Sequence, residues 1–182
     1  MSIDLPESLA QVPLFHHLAN EELREVYEAA TVETFPDGEN ILEQGATCRN
    51  LWIVLEGKCD VVRRASTNGE AGGQGSDVVL ATLAPFDNFG EMSFFQTAPH
   101  SAAVRARTKV TALKISREAY DGLIRGGSGA AFKLAYNTVE SLAQRLRRMD
   151  EWVARLLSES AAPTPSGEWS GFRDKLFKEW TL

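Results

Sequence analysis

The sequence predicts an α+β fold, in which a series of short antiparallel strands is preceded by helical turns and followed by one long helix. Three observations carry that expectation. The hydrophobic period changes from helical to alternating at Thr31, β-rich runs punctuated by glycine then recur as far as Ile115, and from Ala130 an uninterrupted apolar repeat of helical spacing takes over. At 182 residues and 43% hydrophobic, the chain can bury one sizeable core and carry an appendage.

Charge and composition narrow the function classes. The balance of 19 Lys+Arg against 25 Asp+Glu, a net charge of -6, argues against broad electrostatic attraction to nucleic acid or anionic lipid. The N-terminus has no basic stretch ahead of an apolar one, and no run reaches the roughly 18 apolar residues that a bilayer span requires. A cytoplasmic protein is expected, with neither nucleic acid nor membrane among its partners. Cys48 and Cys59 show no CxxC spacing and no histidine close in sequence, so both read as reduced structural thiols. His16 and His17 are adjacent but lack a ligand constellation, and neither a metal nor a resident cofactor is expected.

The elements follow in order. Residues 5–30 hold a short helical piece and then a clearer helix, with Asn20 as N-cap, Glu21 and Glu22 in the first turn, and Leu23, Val26, Tyr27 and Ala30 on one face. Thr31 to Phe35 alternates as a strand and ends at the Pro36-Asp37-Gly38 turn. Ile41-Leu42 leads to a turn at Gln44-Gly45. Leu51 to Leu55 is a β-rich run ending at Glu56-Gly57, and Cys59 to Arg63 is expected to return as the second strand of a hairpin. Ala65 to Ser76 is small, polar and Gly-rich, a loop without the Gly-Lys-Ser/Thr ending of a phosphate loop. Asp77 to Leu83 is the next strand, with Ala81 and Leu83 on one face. After residues 86–104 the chain continues as strands at Ser101 to Arg107 and Lys109 to Ile115. Ser116 then offers an N-cap, with Glu118 behind it, for a helix ending at Gly126-Gly127.

The stretch from Phe86 to Val104 reads as a ligand cassette. A glycine followed by a carboxylate, Gly90-Glu91, suits a backbone that approaches a ligand closely while one side chain accepts hydrogen bonds from it. The order Phe89-Gly90-Glu91, an apolar turn, then Pro99-His100-Ser101-Ala102-Ala103-Val104 strongly resembles the phosphate-binding cassette of cyclic-nucleotide-binding domains. The glycine pattern at 38, 45 and 57 is similar to the β-roll of the same family, so the resemblance covers about residues 10–125.

That resemblance implies a double-stranded, jelly-roll-like antiparallel β-roll with flanking N-terminal helices and a long C-terminal helix. It implies that Glu91 accepts a hydrogen bond from a ribose 2′-hydroxyl, and that Phe89, Gly90, Met92, Ser93, Ser101 and Ala102 line the rest of the cassette. Ala81 and Leu83 are implied as the wall of a base pocket. The family's phosphate-pairing Arg is replaced by His100, which offers one donor when neutral and gains charge only on protonation. The expected ligand is cyclic AMP or cyclic GMP, bound weakly if nothing compensates for the lost Arg.

The last segments concern partners. Phe132, Ala135, Val139, Leu142, Leu146, Met149, Val153 and Leu156 form an a/d series over roughly four heptads, with Arg145 at g and Asp150 at the following e. The first half is expected to cover the β-roll and the second half to pair with another copy, giving a homodimer through residues 130–157. Residues 161–167 read as a linker. Trp169, Phe172, Leu176, Phe177 and Trp180 then recur at helical spacing, as a terminal helix for packing or for docking a protein effector. The expected organisation is a β-roll over 1–128, a dimerisation helix over 129–160 and a tail over 161–182, too short for a winged helix or another effector domain. Two functions stay open: a stand-alone cyclic-nucleotide sensor, and a degenerate dimeric interaction module without nucleotide. No triad, acid pair or metal cluster points to an enzyme.

Overall fold

The structure, a computed structural model, describes residues 7–64 and 77–159. The expected loop over 65–76 and the terminal linker and helix lie outside the described residues. Two short 3-10 turns, Glu7–Gln11 and Pro13–Phe15, lead into α1 (Asn20–Ala29). Asn20 is the first helical residue rather than the cap. Ala19 takes the cap position in extended backbone, and its N–H donates to Glu22 Oε2 at 2.7 Å, so a carboxylate one turn in performs the capping.

Eight described strands form two antiparallel four-stranded sheets. The first contains β1 (Thr31–Phe35), β3 (Asn50–Glu56), β6 (Asn88–Phe89) and β8 (Val110–Ser116), in the order β1-β8-β3-β6. The second contains β2 (Asn40–Leu42), β4 (Cys59–Arg64), β5 (Asp77–Leu83) and β7 (Ala103–Ala106), in the order β2-β7-β4-β5. This is the antiparallel β-roll expected from the sequence, with one correction. β3 and β4 do not form a hairpin, because the chain changes sheets between them. The run Leu51-Trp52-Ile53-Val54 is buried on both faces, which demands a central position, and β8 and β6 flank it there. Gly57 makes the crossing. Its φ is 87°, and a Cβ there would run into the Lys109 carbonyl oxygen.

The alternation in β3 divides the core in two. Trp52 and Val54 face the second sheet and join Leu42, Cys59, Phe89, Val104, Ala106, Val110 and Ala112. Leu51 and Ile53 face the other way, where Leu9, Val12, Leu14, Phe15, Val26, Phe94 and Tyr120 cover them. The helices therefore close one face of the first sheet while the second sheet closes the other.

Helix α2 (Glu91–Phe95) belongs to the cassette, and α3 (Arg117–Arg125) starts where expected, with Ser116 Oγ accepting from the Ala119 N–H at 3.1 Å. The long helix α4 runs from Gly129 to Glu159. A compact unit reaches Ser141, and a second unit starts at Leu142. The first turns of α4 are tied down by specific contacts. Tyr120 Oη donates to the Ala131 carbonyl at 3.0 Å, Lys133 Nζ meets Glu22 Oε2 at 2.6 Å, and Asn137 Nδ2 donates to the carbonyls of Leu14 and His16 at 2.8 and 2.7 Å.

The face of α4 that makes those contacts corrects the sequence expectation. Ala130, Ala131, Leu134, Asn137 and Thr138 are buried, whereas Phe132 and Val139 of the heptad series are 75% and 66% exposed. The first half of the apolar seam does not cover the β-roll, because small residues and an amide fit that contact more closely. In the second unit, Met149 and Trp152 are exposed and Leu142, Leu146 and Val153 are intermediate. No helix among the described residues is long and apolar enough to cross a membrane.

Candidate functional site

The cassette begins on β6, where Phe89 pairs with Trp52 across the strands and their rings stack at 6.1 Å with planes 5° apart. Gly90 then turns the chain with φ 86°, at a spot where a Cβ would strike the Asn50 carbonyl oxygen. Only glycine satisfies both demands at once. The turn delivers Glu91 into the first position of α2, with its side chain only 4% exposed. Ser93 and Phe94 are buried behind it, and Met92 projects to solvent.

The far end of α2 is pinned. The Phe94 carbonyl accepts from Arg49 Nη2 at 2.9 Å and from Arg117 Nη1 at 3.2 Å, while Arg117 Nε pairs with Asp121 at 2.8 Å. The Phe94 ring meets Tyr120 edge-on at 5.3 Å, which joins the cassette to α3.

The other end of the cassette is held by the loop between β2 and β3. The Gly45 N–H donates to the His100 carbonyl at 2.9 Å, and the His100 N–H donates to the Ala46 carbonyl at 2.8 Å. His100 is 6% exposed, and its Nε2 lies 3.0 Å from Cys48 Sγ. Burial pushes the imidazole pKa below its ordinary 6.5, against a weaker opposing pull from a hydrogen bond with the Cys48 backbone. Burial thus favours the uncharged ring.

The remaining candidates fall around these two ends. Ser101 is exposed and Ala102 half-buried at the exit toward β7. Ala81 is exposed and sits opposite Val61, which also faces Val104, so Ala81 shares a sheet face with the strand that leaves the cassette. Leu83 lies two residues on, opposite Cys59, and packs against the core between the sheets. Arg105 donates from Nε to Asn40 Oδ1 at 3.0 Å and pairs with Asp77 at 3.1 Å. Those groups rim a depression of about 310 Å³ over Val62 and Ala103, lined also by Gly45 at the His100 end of the cassette. Sequence reasoning missed Cys48, Arg49 and Arg117. Cys48 and Arg49 meet the cassette across 52 and 45 positions, Arg117 across 23, and no local pattern signals such contacts.

The site is thus a two-sheet roll whose cassette buries a glutamate directly after a left-handed glycine. The comparisons make the class specific. The model of the cyclic nucleotide-binding domain family matches residues 32–126, and the chain belongs to that family. It is 35% identical over 149 residues, 82% of this chain, to the cyclic AMP receptor protein of Thermus thermophilus. It is 26% identical over 153 residues, 84% of this chain, to a CRP-like cAMP-activated global transcriptional regulator of Mycobacterium tuberculosis. The chain spans less than two thirds of these relatives, 64% and 63% of their lengths. The crystal structure of the Thermus thermophilus catabolite activator protein superposes with a TM-score of 0.67 at 33% identity, over 79% of this chain and 62% of the other.

Proposed function

We propose that the chain is a dimeric, cytoplasmic sensor that binds a cyclic nucleoside monophosphate, cyclic AMP or cyclic GMP, in the 86–104 cassette. The observation that carries this reading is the Gly90–Glu91 geometry, a left-handed turn that sets a nearly fully buried carboxylate at the start of α2. Glu91 accepts from the ribose 2′-hydroxyl, Ser93, Ser101 and the cassette backbone face the phosphate, and the Ala81 face of β5 borders the base. Binding rather than catalysis is the activity. His100 supplies at most one neutral donor, so affinity falls below that of a site with a permanently charged guanidinium. Ligand acts by population shift, and only to the extent that it binds two states of the dimer unequally.

The homodimer reading rests on the seam of α4, which leaves Phe132, Tyr136, Val139 and Met149 exposed at helical spacing. A second copy covers that seam as a parallel pair. Replacing Leu146 and Met149 with Glu is expected to give soluble monomers by light scattering. A protein already monomeric at tens of micromolar would sink this part.

Calorimetric titration with cyclic AMP and cyclic GMP tests the ligand. Saturable binding that Glu91→Ala abolishes is the expected result, because truncation leaves the ribose hydroxyl without its acceptor in a buried site. The alternative is an interaction module without nucleotide, favoured by one observation: His100 is buried against Cys48 instead of presenting a charge. No heat and no thermal shift at millimolar nucleotide would establish that alternative.

A further inference from the structure

We propose that Cys48 is a modification site, an exposed thiol in contact with His100 that small electrophiles and hydroperoxides attack, the imidazole taking the thiol proton as the sulfur reacts. The pair rests on contact between segments far apart in sequence. Cys48 Sγ and His100 Nε2 lie 3.0 Å apart across 52 positions, which is the reach a nucleophile and its general base require. The contact is also braced on three sides. Backbone hydrogen bonds from Gly45 and to Ala46 fix His100 against the loop, and Arg49 anchors the residue after Cys48 to the Phe94 carbonyl.

Exposure divides the roles between the two side chains. Cys48 is exposed, so a reagent reaches the sulfur, while His100 is buried and shielded from competing water. Burial favours the neutral imidazole, and in the tautomer protonated at Nδ1 the Nε2 lone pair faces the sulfur at 3.0 Å, in place to accept the thiol proton as the sulfur reacts. The second thiol of the chain provides an internal contrast. Cys59 is fully buried, desolvation pushes its pKa up to about 11, and Asp60 adds to that shift. Cys59 thus lacks the exposure that Cys48 has, and is inert.

The chemistry balances with a hydroperoxide as oxidant. The thiol proton passes to Nε2, the sulfur attacks the distal peroxide oxygen, and the O–O bond breaks. The departing oxygen then takes the proton back from the imidazolium and leaves as water or alcohol. Cys48 ends as a sulfenic acid, oxidised by two electrons as the peroxide is reduced. Cys59 is too buried to resolve it, so an external low-molecular-weight thiol condenses with the sulfenic acid, forming a mixed disulfide and releasing water. Any such adduct breaks the Sγ–Nε2 contact and releases the His100 ring, while the backbone bonds to Gly45 and Ala46 stay in place. If the nucleotide reading above holds, that change falls on the phosphate end of the cassette.

The test uses the folded full chain and does not involve nucleotide. Alkylation by limiting iodoacetamide at neutral pH is followed by peptide mass spectrometry, with glutathione as the free-thiol reference. Cys48 is expected to react roughly tenfold faster than glutathione, Cys59 to stay unmodified, and His100→Gln to remove that advantage. Hydrogen peroxide followed by dimedone is expected to label Cys48, and peroxide followed by glutathione to give the mixed disulfide there. A Cys48 rate equal to that of glutathione, or one unchanged by His100→Gln, overturns the proposal. Should the variant fail to fold, the wild-type comparison with glutathione decides by itself. Because no nucleotide is present, failure here leaves the nucleotide reading standing, and the reverse also holds.

Discussion

The two ends of the cassette are built by different means. At Gly90–Glu91 the backbone is the device, since φ 86° and the closeness of the Asn50 carbonyl leave no room for any side chain. At His100 the device is a side chain clasped by a loop, and other side chains could occupy the same backbone. The difference teaches where the site tolerates change. An end set by backbone geometry admits one residue type, whereas an end set by side-chain chemistry can exchange its residue while the fold persists. A histidine standing where the family resemblance implies an arginine is that kind of exchange.

The sharpest way to break the comparison is Gly90→Ala. The left-handed conformation costs an L-residue about 1–2 kcal/mol, and relieving the clash with the Asn50 carbonyl adds to it. We expect a total loss above about 2 kcal/mol in denaturant unfolding, accompanied by loss of any ligand binding. A loss below about 1 kcal/mol would show that this end is more pliable than the geometry implies.

His100→Arg probes the other end and is expected to keep the fold. If the cassette holds a cyclic phosphate, a charge-assisted hydrogen bond of about 1.5–3 kcal/mol should tighten binding roughly ten- to 150-fold in a calorimetric titration. Unchanged affinity would mean that position 100 does not reach the phosphate.

The smallest expected effect is pH dependence. The folded-state pKa of His100 lies below the unfolded 6.5, so the unfolded chain takes up its proton first as pH falls. The stability from this residue is therefore present above pH 6.5 and is lost as pH falls through the lowered folded value. Melting temperatures between pH 7.5 and 5 should fall, with a shallower slope in His100→Gln; parallel slopes would contradict the assignment. For ligand binding, protonation of His100 strengthens a phosphate contact only at a pH more acidic than the free side chain would suggest.

Much of the β-roll was legible from local signals. Thr31 to Phe35 forms the expected strand, paired edge to edge with β8, and the glycines at 38, 45, 57 and 90 all take positive φ, as turn residues between short strands should. The Ser116 cap and the Gly126-Gly127 stop follow from the same short-range chemistry. The cassette was readable because Gly90, Glu91 and the strand after Pro99 are contiguous. Residues on other segments were not, and Arg49 and Arg117 became part of the site only when both reached one carbonyl.

By itself, then, the sequence determined the order and type of the elements and the place of the cassette, because turns, caps and periodicity act over a few residues. Only the tertiary structure decided that β4 leaves the sheet of β3, since a strand buried on both faces must recruit partners from distant β6 and β8. It also decided which face of α4 turns inward. The apolar period marks a seam but not its neighbour, and Asn137 finds its two carbonyls at Leu14 and His16, more than a hundred residues earlier in the chain. The meeting of Cys48 with His100 has the same origin. Closing a loop of that length is favoured by all the contacts of the fold together, and no residue near either partner encodes it.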